Sequence, residues 1–296
     1  MNTTRREFAL WTLSGAALLT IGPMGVGPAR AASSTFEAAK ASKKIIVGIA
    51  NEKPYGYVES DGKPTGAIVE VIRAALAPYG INDIAAEIVD FNALIPGLNA
   101  SRFGIIGAGM YVKPARCAAI AFSNPLTRSG GAFLAKKGNP TGVHSLKEVA
   151  AKKSVKLGTQ IGTSQVQETK DAGISDDQIV LFSKDSEALA GLQAGRVDVI
   201  YFPDLEANAL LATANDPSLE RVVPFEQILG PDGKQAWNYQ ALGLRKADTD
   251  LIEAINTQLA SLLASGKLLE ILAPFGYSKN ELPPADVTAA QLCQTS

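Results

Sequence analysis

Residues 44–57, KIIVGIANEKPYGY, decide the fold. The first seven are a short β-branched run and predict a strand. The rest, Asn51-Glu52-Lys53-Pro54-Tyr55-Gly56-Tyr57, put an acid and two aromatics directly beyond its carboxyl end. A turn on Asp61-Gly62 follows. Residues 67–79 then carry Ile68, Val71, Ile72, Ala75 and Leu76 at helical spacing, and Gly80 stops them. Strands are predicted at 86–91 and 103–108, with a short helix at 93–100 between them. The segment Gly138-Asn139-Pro140-Thr141-Gly142 breaks this rhythm, and the alternation then restarts. Helices are predicted at 146–152, 164–171, 186–194 and 205–212, and strands at 155–160, 179–182 and 197–202. The tail reads as helical at 248–265 and 267–273. Such alternation predicts an α/β fold with mostly parallel sheet.

Composition narrows the function. Of 296 residues 46% are hydrophobic and 19% charged, which excludes a disordered chain. The charges nearly cancel, 28 Lys and Arg against 29 Asp and Glu, so the basic excess of a nucleic-acid binder is missing. One His and two Cys are too few soft ligands for a structural zinc site. A Ser-His-Asp or Cys-His centre would have to use His144, which sits in a turn-like stretch and reads as a solvated surface residue. These counts favour a soluble binder of something small, with no cofactor.

The N-terminus reads as an export signal. Arg5-Arg6 precede an apolar stretch reaching about Val26, and Ala29-Arg30-Ala31 ends residues 1–31 with the small residues a signal peptidase needs. The paired arginines point to the twin-arginine route. Export leads to an oxidising compartment. There Cys117 and Cys293 either pair, tying the C-terminal tail to the body, or remain two free thiols.

In open α/β sheets ligands collect beyond the carboxyl ends of strands. Glu52 and Tyr55, then Phe91, then Tyr111 and Arg116 all fall at such ends. Aromatic faces attract a cation, the Arg116 fork matches a carboxylate, and Glu52 can accept N–H bonds from a cationic head. From the second half come Thr163 and Ser164 at a helix start, which favours an anion. Asp204, after strand 197–202, either holds a positive group or caps the helix it precedes. Together these residues describe a trap for a small zwitterion. Taken singly, the rings also suit packing, Arg116 a surface salt bridge, and Thr163 or Ser164 a helix cap.

The chain resembles the periplasmic substrate-binding proteins of ABC importers, of the polar amino-acid type. The resemblance rests on AGMYVKPAR (108–116), AFSNP (121–125), LGTQIGTS (157–164), ALAGLQAGRVD (188–198) and SGKLLEILAPFGY (265–277), and covers essentially the whole mature chain. Within that group it is most similar to the ectoine and hydroxyectoine binders, through ANEKPYGY, FNALIPGL, GAGMYVKPARC and FLAKKGNP. The resemblance implies a two-lobed type II periplasmic-binding fold, with two mixed sheets flanked by helices and a two-strand hinge. It places lobe 1 at 42–135, lobe 2 at 136–239, a return to lobe 1 at 240–285 and a tail at 286–296. The crossings are expected near 134–137 and 238–242.

It also implies a periplasmic monomer that passes its solute to an inner-membrane ABC permease. Tyr55, Phe91 and Tyr111 would box a cyclic amidinium, Glu52 would accept from its N–H, and Arg116 would hold the carboxylate. The sequence departs from the general amino-acid pattern at Ala67-Ile68-Val69-Glu70, after Gly66. A polar amino acid, needing a stronger acid such as Asp204, or a betaine is the alternative solute. A periplasmic cyclohexadienyl-type dehydratase, with Glu52 or Glu70 as acid, is the alternative of another class.

Overall fold

A computed structural model describes residues 34–294, so the export signal read at 1–31 lies outside the described residues. Helix α1 (Thr35–Ser42) leads into β1 (Lys44–Ile49), which buries Ile45, Val47 and Ile49. A small hairpin, β2 (Tyr57–Val58) and β3 (Pro64–Thr65), precedes α2 (Ala67–Leu76). The apolar face of α2 packs Ile68, Val71, Ile72 and Leu76 into the core, as the spacing predicts. Then come β4 (Asp83–Ile88), α3 (Leu94–Asn99), β5 (Ile105–Ile106), α4 (Pro114–Ala119), β6 (Ala121–Phe122) and β7 (Thr127–Ser129). Strand β4 sits earlier than the expected 86–91, and Phe91 instead opens a 3-10 turn, Phe91–Ala93.

The second half holds β8 (Gly131–Lys136), α5 (Leu146–Ala151), β9 (Leu157–Gln160), α6 (Ser164–Asp171) and β10 (Ile179–Phe182). It continues with α7 (Asp185–Gln193), β11 (Val199–Pro203), α8 (Asp204–Ala214) and β12 (Leu219–Arg221). The chain returns through β13 (Asn238–Gln240) and β14 (Gly243–Leu244), and ends in α9 (Thr249–Ala264), α10 (Lys267–Leu272) and α11 (Ala289–Leu292).

Two five-stranded sheets result, ordered β4-β1-β5-β14-β6 and β10-β9-β11-β8-β12. Both are mixed, with four strands running one way and one against them. In the first, β1 pairs in parallel with β4 and β5, while β14 runs antiparallel to β5 and β6. In the second, β9 is parallel to β10 and β11, while β8 is antiparallel to β11 and β12. One strand in each sheet, β14 in the first and β8 in the second, runs against the other four, and both lie close in sequence to where the chain changes sheets.

That change happens at β7 and β13, which form a two-stranded ribbon with Asn238 opposite Ser129 and Gln240 opposite Thr127, while Gln240 also bridges Tyr111. The outbound crossing expected near 134–137 is therefore misplaced. Residues 131–136 form a buried strand inside the second sheet, and the Gly-Pro-rich stretch after them is the turn that ends it. Strand β13 spans 238–240, inside the stretch 238–242. Each sheet has its own apolar layers: Val47, Ile72 and Leu251 belong to one, Leu134, Ile200 and Leu210 to another. Cys117 and Cys293 form a disulfide with Cα atoms 5.8 Å apart, binding the α11 end of the chain to α4.

Candidate functional site

A small cavity opens between the two sheets. Glu52, Tyr55, Phe91, Tyr111, Arg116, Thr163 and Ser164 all line it, so seven residues singled out from separate strand ends meet in one place. Glu52 and Tyr55 arrive on the loop after β1. That loop is fixed by Gly56 N–H donating to the Glu52 carbonyl and by the Ile68 and Ala67 amides donating to Tyr55 and Pro54. Gly109 lets the next loop come close: its φ is +61°, and a Cβ there would stand 2.6 Å from the Tyr55 ring.

Arg116 is held in place by the cavity wall. Its Nη1 donates to the Tyr111 carbonyl at 2.9 Å and its Nη2 donates across the cleft to the Gly162 carbonyl at 3.0 Å. The guanidinium lies 5.5 Å from the Phe91 ring centroid, so Phe91 supports Arg116 as well as facing the cavity. Burial pulls the guanidinium below its ordinary pKa, offset in part by Tyr111 and Glu168. Tyr111 shares a 2.6 Å hydrogen bond with Ser129 of β7, which ties an aromatic wall to the crossing strand.

Glu52 is buried and its Oε1 accepts from Gln160 Nε2, at the end of β9, at 2.6 Å. Burial first, then the charge of Asp185, pushes its pKa up to about 8 against the pull of the Gln160 bond. Thr163 donates its hydroxyl to the Gln160 carbonyl at 2.7 Å and precedes α6, whose first-turn N–H groups lack intrahelical partners. Ser164 is the first residue of that helix and is buried.

Asp204 is elsewhere. Its Oδ1 accepts from the Leu205 amide at 2.8 Å and its Oδ2 from the Gly130 amide at 3.4 Å, and it does not line the cavity. Glu206, two residues on, lines it instead, together with Gln160, Gln165, Pro203, Ala108 and Gly109, none of which the sequence reading chose. Glu206 stands one helical turn beyond a strand end already under suspicion, so the strand-end rule applied to the whole first turn of α8 would have found it. Gln160 closes a strand within LGTQIGTS and carries no signal of its own. Glu70 accepts from Thr65 and Arg73 away from the cavity, and His144 pairs through Nδ1 with the Pro224 carbonyl. Among the described residues no cluster of His, Cys, Asp and Glu could hold a metal ion.

The site can therefore grip a carboxylate at Arg116, flank a flat cationic group with rings, and offer two buried acids to its N–H groups. The chain is similar to known binders over most of its length. It is 33% identical, with a TM-score of 0.78, to the structure of EhuB in complex with hydroxyectoine, covering 89% of this chain and 100% of that one. A probable amino-acid ABC transporter periplasmic-binding protein of Sinorhizobium fredii (strain NBRC 101917 / NGR234) is 30% identical over 89% of this chain and 87% of its own. An ancestral arginine-binding protein bound to arginine is 25% identical, TM-score 0.68, over 79% of this chain and 99% of that one. Among the described residues no helix is long and apolar enough to cross a membrane. The fold is that of a type II periplasmic binding protein, and the profile of the bacterial extracellular solute-binding proteins, family 3, matches residues 45–277: the chain belongs to that family.

Proposed function

We propose that this protein is the periplasmic solute-binding component of an ABC importer, that it works as a monomer without catalysis, and that its solute is ectoine or hydroxyectoine. One observation carries the reading: Arg116, Glu52 and the rings of Tyr55, Phe91 and Tyr111 line the same small cavity. A cyclic amidinium fits between rings and donates N–H to Glu52, while its carboxylate meets the Arg116 fork. The solute would bridge both sheets, and the joined halves would form the surface a permease recognises. Residues 1–31 would direct export by the twin-arginine route.

A polar amino acid is the second reading. It needs an acid in the second half for an α-ammonium group, and Glu206 supplies one where Asp204 does not. Thermal shift and calorimetry with ectoine, hydroxyectoine, glycine betaine, proline and polar amino acids test both. A ligand that binds only the folded protein raises its melting temperature. Ectoine or hydroxyectoine should give the largest shift, and a larger shift with an amino acid would replace the first reading by the second.

A further inference from the structure

Glu206 belongs to the first turn of α8 and comes to the cavity from the second sheet. It is 4% exposed, and its Oε1 has no hydrogen-bond partner. Glu52 comes from the first sheet and faces the same space. Burial, then the charges of Glu52 and Asp185, push the Glu206 carboxyl well above the usual carboxylate range, against a smaller pull from the nearby Tyr55 hydroxyl. Arg116 is the one basic residue among the described lining residues. Another buried polar atom on the lining, Gln165 Nε2, also lacks a partner.

An acceptor buried without a donor is costly, and costlier still when charged. A quaternary ammonium ion would neutralise such a carboxylate but leave its lone pairs unsatisfied. A cation with N–H groups on two sides does both. We propose that Glu206 is the second-sheet counter-ion of the ligand, so that the site takes cations with at least two N–H donors, one for Glu52 and one for Glu206, in preference to quaternary ammonium ions. This rests on reading the cavity as a zwitterion site. It adds that the cation joins the two halves, as the carboxylate joins Arg116 to the start of α6.

The test is calorimetry at pH 8 on the wild-type protein and Glu206→Gln, with ectoine, L-arginine and glycine betaine. The wild type should bind ectoine, or failing that arginine, at least about tenfold more tightly than glycine betaine. Glu206→Gln should lose about tenfold or more for that N–H cation and change little for glycine betaine. The substitution keeps the side chain's shape and removes a buried acid, so the unliganded variant should melt no lower than wild type. Glu206→Asp, which keeps the charge but withdraws it, should fall between the two. A wild-type protein that binds arginine and ignores ectoine removes the solute proposed above but leaves the role of Glu206 to be judged on arginine. Wild-type preference for glycine betaine, no binding of either N–H cation, or unchanged affinity in Glu206→Gln overturns the inference.

Discussion

Gln160 Nε2 donates to Glu52 Oε1 at 2.6 Å, joining the end of β9 in one sheet to the loop after β1 in the other. The bond buries an acid whose pKa stands near 8. At pH 7 the unliganded carboxyl is therefore mostly protonated, and a cation beside it favours the ionised form. Ligand binding should release protons at pH 7, and affinity should rise with pH until about 8 and then level off. Calorimetry in buffers of different ionisation enthalpy reads this directly, and binding without proton release would remove Glu52 from the cation's neighbourhood. The stability consequence has the opposite sign. The unfolded chain ionises Glu52 near 4.5 while the folded chain keeps its proton to about 8, so unliganded stability falls across that window. Glu52→Gln should melt higher than wild type at pH 8 without ligand, yet bind more weakly.

Arg116 is fixed before any ligand arrives, by Tyr111, Gly162 and the Phe91 ring. Arg116→Ala leaves a ligand carboxylate without its charged partner and should weaken binding by about 3 kcal/mol, on the order of a hundredfold. Arg116→Lys keeps the charge but loses the planar fork, and should recover only a small part. Phe91→Ala removes the platform under Arg116 and a ring from the cavity, and should cost about 1–2 kcal/mol. Equal affinities for wild type and Arg116→Ala would mean that the carboxylate binds elsewhere.

The disulfide closes a span of 176 residues between Cys117 and Cys293. Such a link chiefly restricts the unfolded chain and contributes about 2–4 kcal/mol. It also anchors the six-residue helix α4, in which Arg116 is the immediate neighbour of Cys117. Reduction, or a Cys117→Ser and Cys293→Ser double variant, should lower the melting temperature and also loosen ligand binding severalfold. A melting temperature that does not move on reduction would show that the link contributes nothing to net stability.

Much of this arrangement could be read from strand ends. The β-branched run at 44–50 announces β1, and the residues after it, Glu52 and Tyr55, do reach the cavity. Tyr111 and Arg116 follow β5 in the same way. The reading goes astray where the tertiary partner decides. Asp204 and Glu206 both follow β11, but a step of two residues turns the side chain through roughly 200° around the helix. Asp204 faces the Gly130 amide and Glu206 the cavity, and no local pattern distinguishes those directions. Gln160 looks like an ordinary strand residue until Glu52 is set opposite it. The sheet crossing was missed because glycine and proline mark the turn after β8 more loudly than the three residues of β7 mark the true passage.

Gly162 is where the halves approach most demandingly. Its carbonyl accepts from Arg116, its φ is +82°, and a Cβ on it would lie 2.7 Å from the Asn92 Cβ of the other half. The positive φ and the close Cβ contact oppose any other residue. The left-handed backbone costs a side chain about 1 kcal/mol, and the contact is shorter than real Cβ atoms allow, so the two walls would have to part. Separation would lengthen the Arg116–Gly162 and Gln160–Glu52 bonds together, since both span the same cleft. Gly162→Ala should therefore fold with nearly wild-type circular dichroism but bind its solute at least about tenfold more weakly. Asn92→Gly, in the Gly162→Ala background, should restore part of that loss by removing the opposing side chain. Rescue of affinity by Asn92→Gly would separate obstruction across the cleft from backbone strain within the 160–164 loop, because only the first is relieved from the other side.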